Sequence, residues 1–272
     1  MSDAVVDSDQ VSGSGRVSIT LEDGVADVRL TRADKMNALD PAMFAALVDA
    51  IERLKTMQGL RAVVLSGDGR AFCAGLDMAS MAGGGSGLKL DERTYGIANT
   101  PQYVCTGWRE LGVPVIAAIH GVAMGGGFQL LSGADIRVAH PATRMAIRET
   151  YWGLVPDMGG FVLWRGTARD DVLRELVYTS REFSAGEAQA WGLVTHLDDD
   201  PHARAMSIAR EIAGRSPKAV RAAKRIFNAL PDLDAAAILL AESEEQLALI
   251  RKPEQIEAVR ANMEKRAPVF ED

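Results

Sequence analysis

Residues 113–139 read VPVIAAIHGVAMGGGFQLLSGADIRVA, and this order of apolar run, glycine triplet and second apolar run sets the class of fold. Val113 to Ile119 is apolar almost without a break, the pattern of a strand buried on both faces. It passes through His120-Gly121 to Gly125, Gly126 and Gly127, then into FQLLSGAD (128–135), which reads as a helix, and Ile136 to Val138 reads as a further short strand. Toward the N-terminus the same alternation recurs. Arg61 to Ser66 reads as a buried strand, and Asp40-Pro41 supplies an N-cap and first-turn proline for a helix with Phe44, Leu47, Val48, Ile51 and Leu54 on one face. Val17, Ile19 and Leu21, then Asp23-Gly24, then Ala26, Val28 and Leu30 spell a β-hairpin. The succession hairpin, helix, strand predicts an α/β architecture.

Beyond this core, Met145 to Ile147 predicts another short strand, and Ser184 with Glu187 forms a capping box for a helix closed near Gly192. From Pro201 the chain turns Ala-rich and charge-laced. Segments 201–214, 216–230, 232–251 and 253–266, punctuated by Pro217, Pro231 and Pro253, predict consecutive helices. The domain reading is a disordered leader over 1–15, an α/β core over 16–200 and a helical region over 201–272. The Gly-rich MAGGGSG (81–87) opens a long loop that extends to Leu111.

The 272 residues, 47% apolar, suit one large domain or a large domain with an appendage. With 30 Lys+Arg against 37 Asp+Glu the net charge is −7, which argues against nucleic acid or an anionic membrane as partner. Cys73 and Cys105 are too few for a disulfide framework and fit a reducing compartment. The polar, acidic N-terminus is unlike a signal peptide, and no apolar run approaches the roughly 20 residues of a bilayer span. The expectation is a soluble, cytoplasmic protein. P-loop, dinucleotide and serine-hydrolase signatures are absent, and the four histidines lack metal-ligand spacing, so no metal is expected.

Three segments carry candidate chemistry: AFCAGLDM (71–78), HGVAMGGGFQLLSGADIRVA (120–139) and RETYWGLVPDMGG (148–160). A glycine triplet between a buried strand and a helix start leaves backbone N–H groups facing outward, where they can hold an oxyanion. The turn Cys73 to Asp77 follows another extended segment and offers a second donor. Together they suggest a two-donor hole for a carbonyl oxygen that becomes an enolate.

The ordered motifs A-F-x-A-G-x-D (71–77), P-V-I-A-A-I-H-G-x-A-x-G-G-G (114–127), A-D-I-R-V-A (134–139), E-x-x-x-G-x-x-P-x-x-G-G (149–160) and F-S-A-G-E-A-x-x-W-G-L-V (183–194) resemble the crotonase (enoyl-CoA hydratase/isomerase) family over nearly the whole chain. The resemblance implies a spiral of β-β-α turns, a C-terminal helical region that builds trimers or dimers of trimers, and an acyl-CoA thioester substrate. It implies no cofactor, coenzyme A being part of the substrate. The oxyanion hole falls on the N–H groups of Leu76 and Gly126, with Ala74, Gly75, Asp77, Gly125 and Gln129 expected against the substrate. One donor of such a hole is worth about 10²–10³ in rate.

Hydratases of this family hold a water with two glutamates, one after the glycine triplet and one before the G-x-x-P turn. Here the first position is Gln129 and the second is Glu149. An amide neither gives nor takes a proton near neutral pH, so the pattern departs from hydration. Asp157, eight residues past Glu149, is similar to the second carboxylate of dienoyl-CoA isomerases, which usually also carry an aspartate where this chain has Gln129. The expected catalytic pair is Glu149 and Asp157, although a turn or cap role for Asp157 competes. The expectation is double-bond isomerisation of an enoyl- or dienoyl-CoA. A hydratase with atypical Gln129 and a catalytically silent acyl-CoA-binding subunit are the alternatives. Ala79 stands where hydratases often carry a lysine that contacts the cofactor. Lys224 and Arg225 read as a solvated helix face, with CoA phosphate as the rival role, and some of Trp108, Phe128, Trp152, Phe161 and Trp164 are expected to line an acyl tunnel.

Overall fold

The hairpin forms as its alternation predicts: β2 (Val17–Glu22) and β3 (Val25–Leu30) pair antiparallel, Val17 opposite Leu30 and Glu22 opposite Val25. Asp23 and Gly24 both take positive φ, 49° and 79°, the two-residue turn whose twist matches the strands. The computed structural model describes residues 11–12, 15–79 and 88–271. Most of the expected disordered leader, and the Gly-rich stretch 81–87, lie outside those residues. The leader reading is nevertheless corrected at β1 (Val11–Ser12), which pairs antiparallel with Ile19 and Ser18 at the open edge of β2.

From β3 the large sheet grows in parallel through β4 (Ala62–Gly67), β5 (Val115–Ile119), β7 (Ile136–Ala139) and β10 (His196–Leu197), in the order β1-β2-β3-β4-β5-β7-β10. A smaller sheet holds β6 (Val122–Met124), β8 (Arg144–Ala146) and β9 (Phe183–Ser184). After each of β3, β4, β5 and β7 the chain passes into this second layer. Leu39 bridges Leu76, Cys73 bridges Ala123, and β6 pairs with β8, all in parallel. Each pass then leaves through a helix or turn, and the successive passes stack as a spiral of strand, short strand and helix. The corner after β5 requires Gly121: at φ 64° a Cβ there would stand 2.0 Å from the Arg70 carbonyl.

Helix α1 (Pro41–Thr56) starts where Asp40 Oδ1 accepts from Met43 N at 2.8 Å, and it buries Met43, Phe44, Leu47 and Ile51 against one face of the large sheet. The other face, with Val25, Val64, Ile116 and Val138, is covered by Ala205, Ala209 and Ala213 of α7 (Pro201–Ala213). Small side chains let this helix lie close to the strands. The first of the C-terminal helices thus belongs to the core packing.

The segment expected as a loop up to Leu111 contains a helix, α2 (Thr100–Glu110). Its start carries a complete capping box, Asn99 with Gln102, and Pro101 in the first turn. The preceding glycines hide a signal that was present in N-T-P-Q. Downstream come α3 (Gly126–Ser132), α4 (Gly160–Leu163), α5 (Asp170–Thr179) and α6 (Ala185–Ala190), the last capped reciprocally by Ser184 and Glu187.

Helices α8 (Pro217–Ala229), α9 (Ala235–Leu249) and α10 (Pro253–Glu264) complete the chain. The reading of Lys224 as solvated is wrong. It is 6% exposed, with Nζ 2.8 Å from Asp135 Oδ2 and 2.7 Å from the Val113 carbonyl. Burial pushes its pKa down while Asp135 opposes the shift. Arg225 stays exposed, as expected, and pairs with Glu245 at 2.6 Å. Helix α9 buries no residue and leaves Leu239, Leu240 and Leu247 exposed, while Ile256, Val259 and Met263 of α10 are also uncovered. Among the described residues no helix is long and apolar enough to cross a membrane.

Candidate active site

Two spiral passes bring two unpaired backbone donors together. In the bridge at Leu39, the Leu39 N–H reaches the Gly75 carbonyl at 2.8 Å and the Asp77 N–H reaches the Leu39 carbonyl at 3.0 Å. A parallel bridge uses the neighbours of Leu76, so the N–H of Leu76 itself points away from the ladder, and it finds no partner among the described residues. Gly125 N is spent on the Ala146 carbonyl at 2.8 Å. Gly126 N opens α3, where the first N–H groups lack intrahelical acceptors. The passes touch through glycine: a Cβ on Gly75, whose φ is 90°, would stand 2.5 Å from the Met124 carbonyl and 3.6 Å from Gly126 N.

Glu149 begins a short 3₁₀ turn (Glu149–Trp152) and is 7% exposed. Its Oε1 accepts from Gln129 Nε2 at 2.6 Å, and its buried Oε2 has no hydrogen-bond partner. Burial raises its pKa, the Gln129 bond opposes that, and the charge of Asp157 adds to the rise. A cavity of about 290 Å³ is lined by Ala74, Gly75, Leu76, Gly125, Gly126 and Glu149, with Arg148, Trp152 and Glu182 on its rim. A second cavity of about 420 Å³, walled by Phe44, Leu88, Leu90, Pro101, Val155 and Met158, includes both Glu149 and Asp157. The two share Leu76, Met78, Glu149 and Leu154, so they adjoin as one channel with the Glu149 carboxylate common to both parts. Asp157 is open to this channel, and desolvation raises its pKa too.

Gln129 is fully buried and lines neither cavity. Expected against the substrate, it sits instead behind Glu149. Asp77, also expected there, spends its carboxylate on Arg32 at 2.7 Å. Arg32 reaches Asp40 at 3.4 Å and the Ala38 carbonyl at 2.9 Å, so this cluster holds the turn that carries Leu76. Of the five aromatic candidates only Trp152 reaches the channel. Trp108 and Phe128 are core, and Phe161 and Trp164 line a separate cavity beside α5. The channel walls from Phe44, Met78, Leu88, Leu90, Leu154 and Val155 had no sequence signal beyond being apolar.

Two larger cavities, about 650 Å³ beside Lys224 and about 590 Å³ beside Phe161, hold no buried carboxylate oxygen without a partner. Chemistry therefore points to this channel, where two N–H donors can steady an oxyanion beside a desolvated carboxylate and a second carboxylate on an apolar wall.

A spiral of this kind with paired backbone donors defines a class, and comparison with known proteins gives the same class. The family model described as enoyl-CoA hydratase/isomerase matches residues 20–272. An enoyl-CoA hydratase of Mycobacterium tuberculosis is 30% identical over 250 residues, covering 90% of this chain and 92% of that one. The mitochondrial Delta(3,5)-Delta(2,4)-dienoyl-CoA isomerase of Mus musculus is also 30% identical, over 89% of this chain and 77% of its own. The crystal structure of an enoyl-CoA hydratase from Bacillus anthracis superposes with a TM-score of 0.85 at 29% identity, covering 94% and 98% of the two chains. The chain belongs to the enoyl-CoA hydratase/isomerase family. Hydratases and an isomerase resemble it equally, so the reaction must be argued from the site.

Proposed function

We propose that this protein moves a double bond within an enoyl- or dienoyl-CoA. The observation that carries the reading is the partnering of the two side chains at the hydratase positions: Glu149 keeps one buried oxygen unpartnered, whereas Gln129 is an amide whose oxygen and nitrogen are both engaged. The thioester carbonyl accepts from the N–H groups of Leu76 and Gly126. Glu149 takes a proton from the carbon next to the unsaturation, and the electrons pass into an enolate held by the two donors. With a 3-enoyl substrate Glu149 returns the same proton farther along the chain and ends as it began. With a diene Asp157, protonated at the start, gives the far proton, and transfer of one proton from Glu149 to Asp157 through solvent restores both. No water is consumed. Hydration, by contrast, asks a second group to hold and polarise water, and an amide supplies no proton.

The same reading makes the protein a homotrimer, or a dimer of trimers, with exposed Leu239, Leu240, Leu247 and Met263 as the surface to be covered, and it makes it cytoplasmic. Light scattering on the purified chain tests the first of these. The reaction is tested by offering crotonyl-CoA, a 3-enoyl-CoA and a 3,5-dienoyl-CoA and following ultraviolet absorbance. Turnover of the second or third, with little hydration of the first, is expected. Rapid hydration of crotonyl-CoA refutes the isomerase, and binding without turnover of any of the three indicates a silent subunit.

A further inference from the structure

The amide of Gln129 is assigned without ambiguity by what surrounds it. Its Oε1 accepts from the backbone N–H of Met158 at 2.9 Å and of Gly160 at 3.1 Å. Two donors require an oxygen, so the nitrogen must face Glu149, where it donates to Oε1 at 2.6 Å. Gly160 permits the approach, since a Cβ there would lie 2.9 Å from Gln129 Oε1. Met158 in turn lies against the hole, its Sδ 2.8 Å from where a Cβ on Gly126 would be. One side chain therefore grips the Glu149 carboxylate with its nitrogen, and with its oxygen the turn whose first residue is Asp157.

We infer that Gln129 is a positioning residue that sets both the orientation of Glu149 and its separation from Asp157, and that a glutamate at this position would disable the site rather than make it a hydratase. This inference rests on Glu149 being the base. A carboxylate at 129 would keep the acceptor for Met158 and Gly160 but present its other oxygen to Glu149 Oε1. Two carboxylates at that distance hold one proton between them. The backbone N–H groups of Glu149 and Arg148 favour its ionised form, but none of the side chains facing it offers relief. Asp157 is a like charge, the Cys105 thiol is buried with its pKa pushed up, the Arg148 guanidinium is turned to the Ser180 carbonyl and the Tyr151 ring, and Glu182 is paired with Arg144.

The test follows the Glu149 carboxyl band by difference infrared spectroscopy across pH, with Glu149→Gln identifying the band. This reading needs no turnover. In Gln129→Met, which removes the donor, the titration should move up by roughly one to two pH units. Gln129→Glu, which retains the acceptor and is the fallback if the methionine variant does not fold, should move it up as well and gain no crotonyl-CoA hydration. An unmoved titration in a folded variant overturns the inference, as does rapid crotonyl-CoA hydration by Gln129→Glu. Full turnover by Glu149→Gln would instead remove the base assignment while the titration result stood.

Discussion

Lys224 reaches Asp135 across 89 residues of sequence and closes on it at 2.8 Å, pinning α8 to the N-terminal end of β7. Asp135 Oδ2 also accepts from Val115 N at 2.7 Å, so one carboxylate ties two parallel strands and a helix. Lys224→Met removes the close cation and leaves Asp135 only Arg109, whose Nε stands 4.0 Å from Oδ1. The expected loss of stability is about 3 kcal/mol in urea unfolding. Arg225→Ala, one position on but solvent-exposed with its Glu245 partner, should change stability by less than about 1 kcal/mol. Equal effects of the two would disprove the assignment of the buried tie.

Glu149→Gln should lower turnover by about 10²–10⁴ while acyl-CoA binding, measured by calorimetry, is retained. The unpartnered Oε2 is the group removed, and the N–H groups of Leu76 and Gly126 are untouched. Weakened binding with unchanged turnover would contradict the role.

The raised pKa of Glu149 also predicts a pH-dependent stability. Burial favours its neutral form in the folded state, so the wild-type protein is penalised at pH values above the folded pKa and not below the ordinary carboxyl value of 4.5. Glu149→Gln should therefore melt higher than wild type at neutral pH, and the gap should close as pH falls toward and below that value. A gap that stays constant with pH would show that the carboxylate carries no desolvation penalty.

Two glycine substitutions separate the donors from the scaffold. Gly126→Ala places its Cβ 2.8 Å from Met158 Sδ and 3.0 Å from Leu39 Cδ1, flexible side-chain ends that can yield. The variant should fold but displace the donor, with a fall of about 10²–10³ in turnover. Gly75→Ala meets the Met124 carbonyl at 2.5 Å with φ at 90°, backbone against backbone, and should lower the melting temperature as well as activity. A stable, active Gly75→Ala would refute the close crossing.

What was legible in the sequence was what repeats at short range. The alternating hairpin, the apolar run at 113–119, the Asp40 and Ser184 caps and the Pro-punctuated helices after 201 each signal themselves within a few residues. What was hidden depends on residues far apart meeting. The burial of Lys224 follows from Asp135 and Val113, more than a hundred positions away for the latter. The channel walls come from separate passes of the chain, and Trp108 and Phe128 were drawn into the core because large rings bury most area there. The capping box of α2 could have been read in Asn99 and Gln102, but the glycines before it suggested a loop. Glu149 was legible through the motif around it, while its dependence on Gln129 needed coordinates.

Leu76 follows β4, Gly126 follows β6 and Glu149 follows β8, on three different passes, and their alignment comes from how one pass stacks on the next. Inserting or deleting a single residue in those passes would throw the reactive atoms out of phase. The apolar rim around Leu88 to Pro101 and Leu154 to Val155 hangs outside that stacking. New acyl specificities should thus be acquired by lengthening or shortening the rim, with the spiral's residue count held constant.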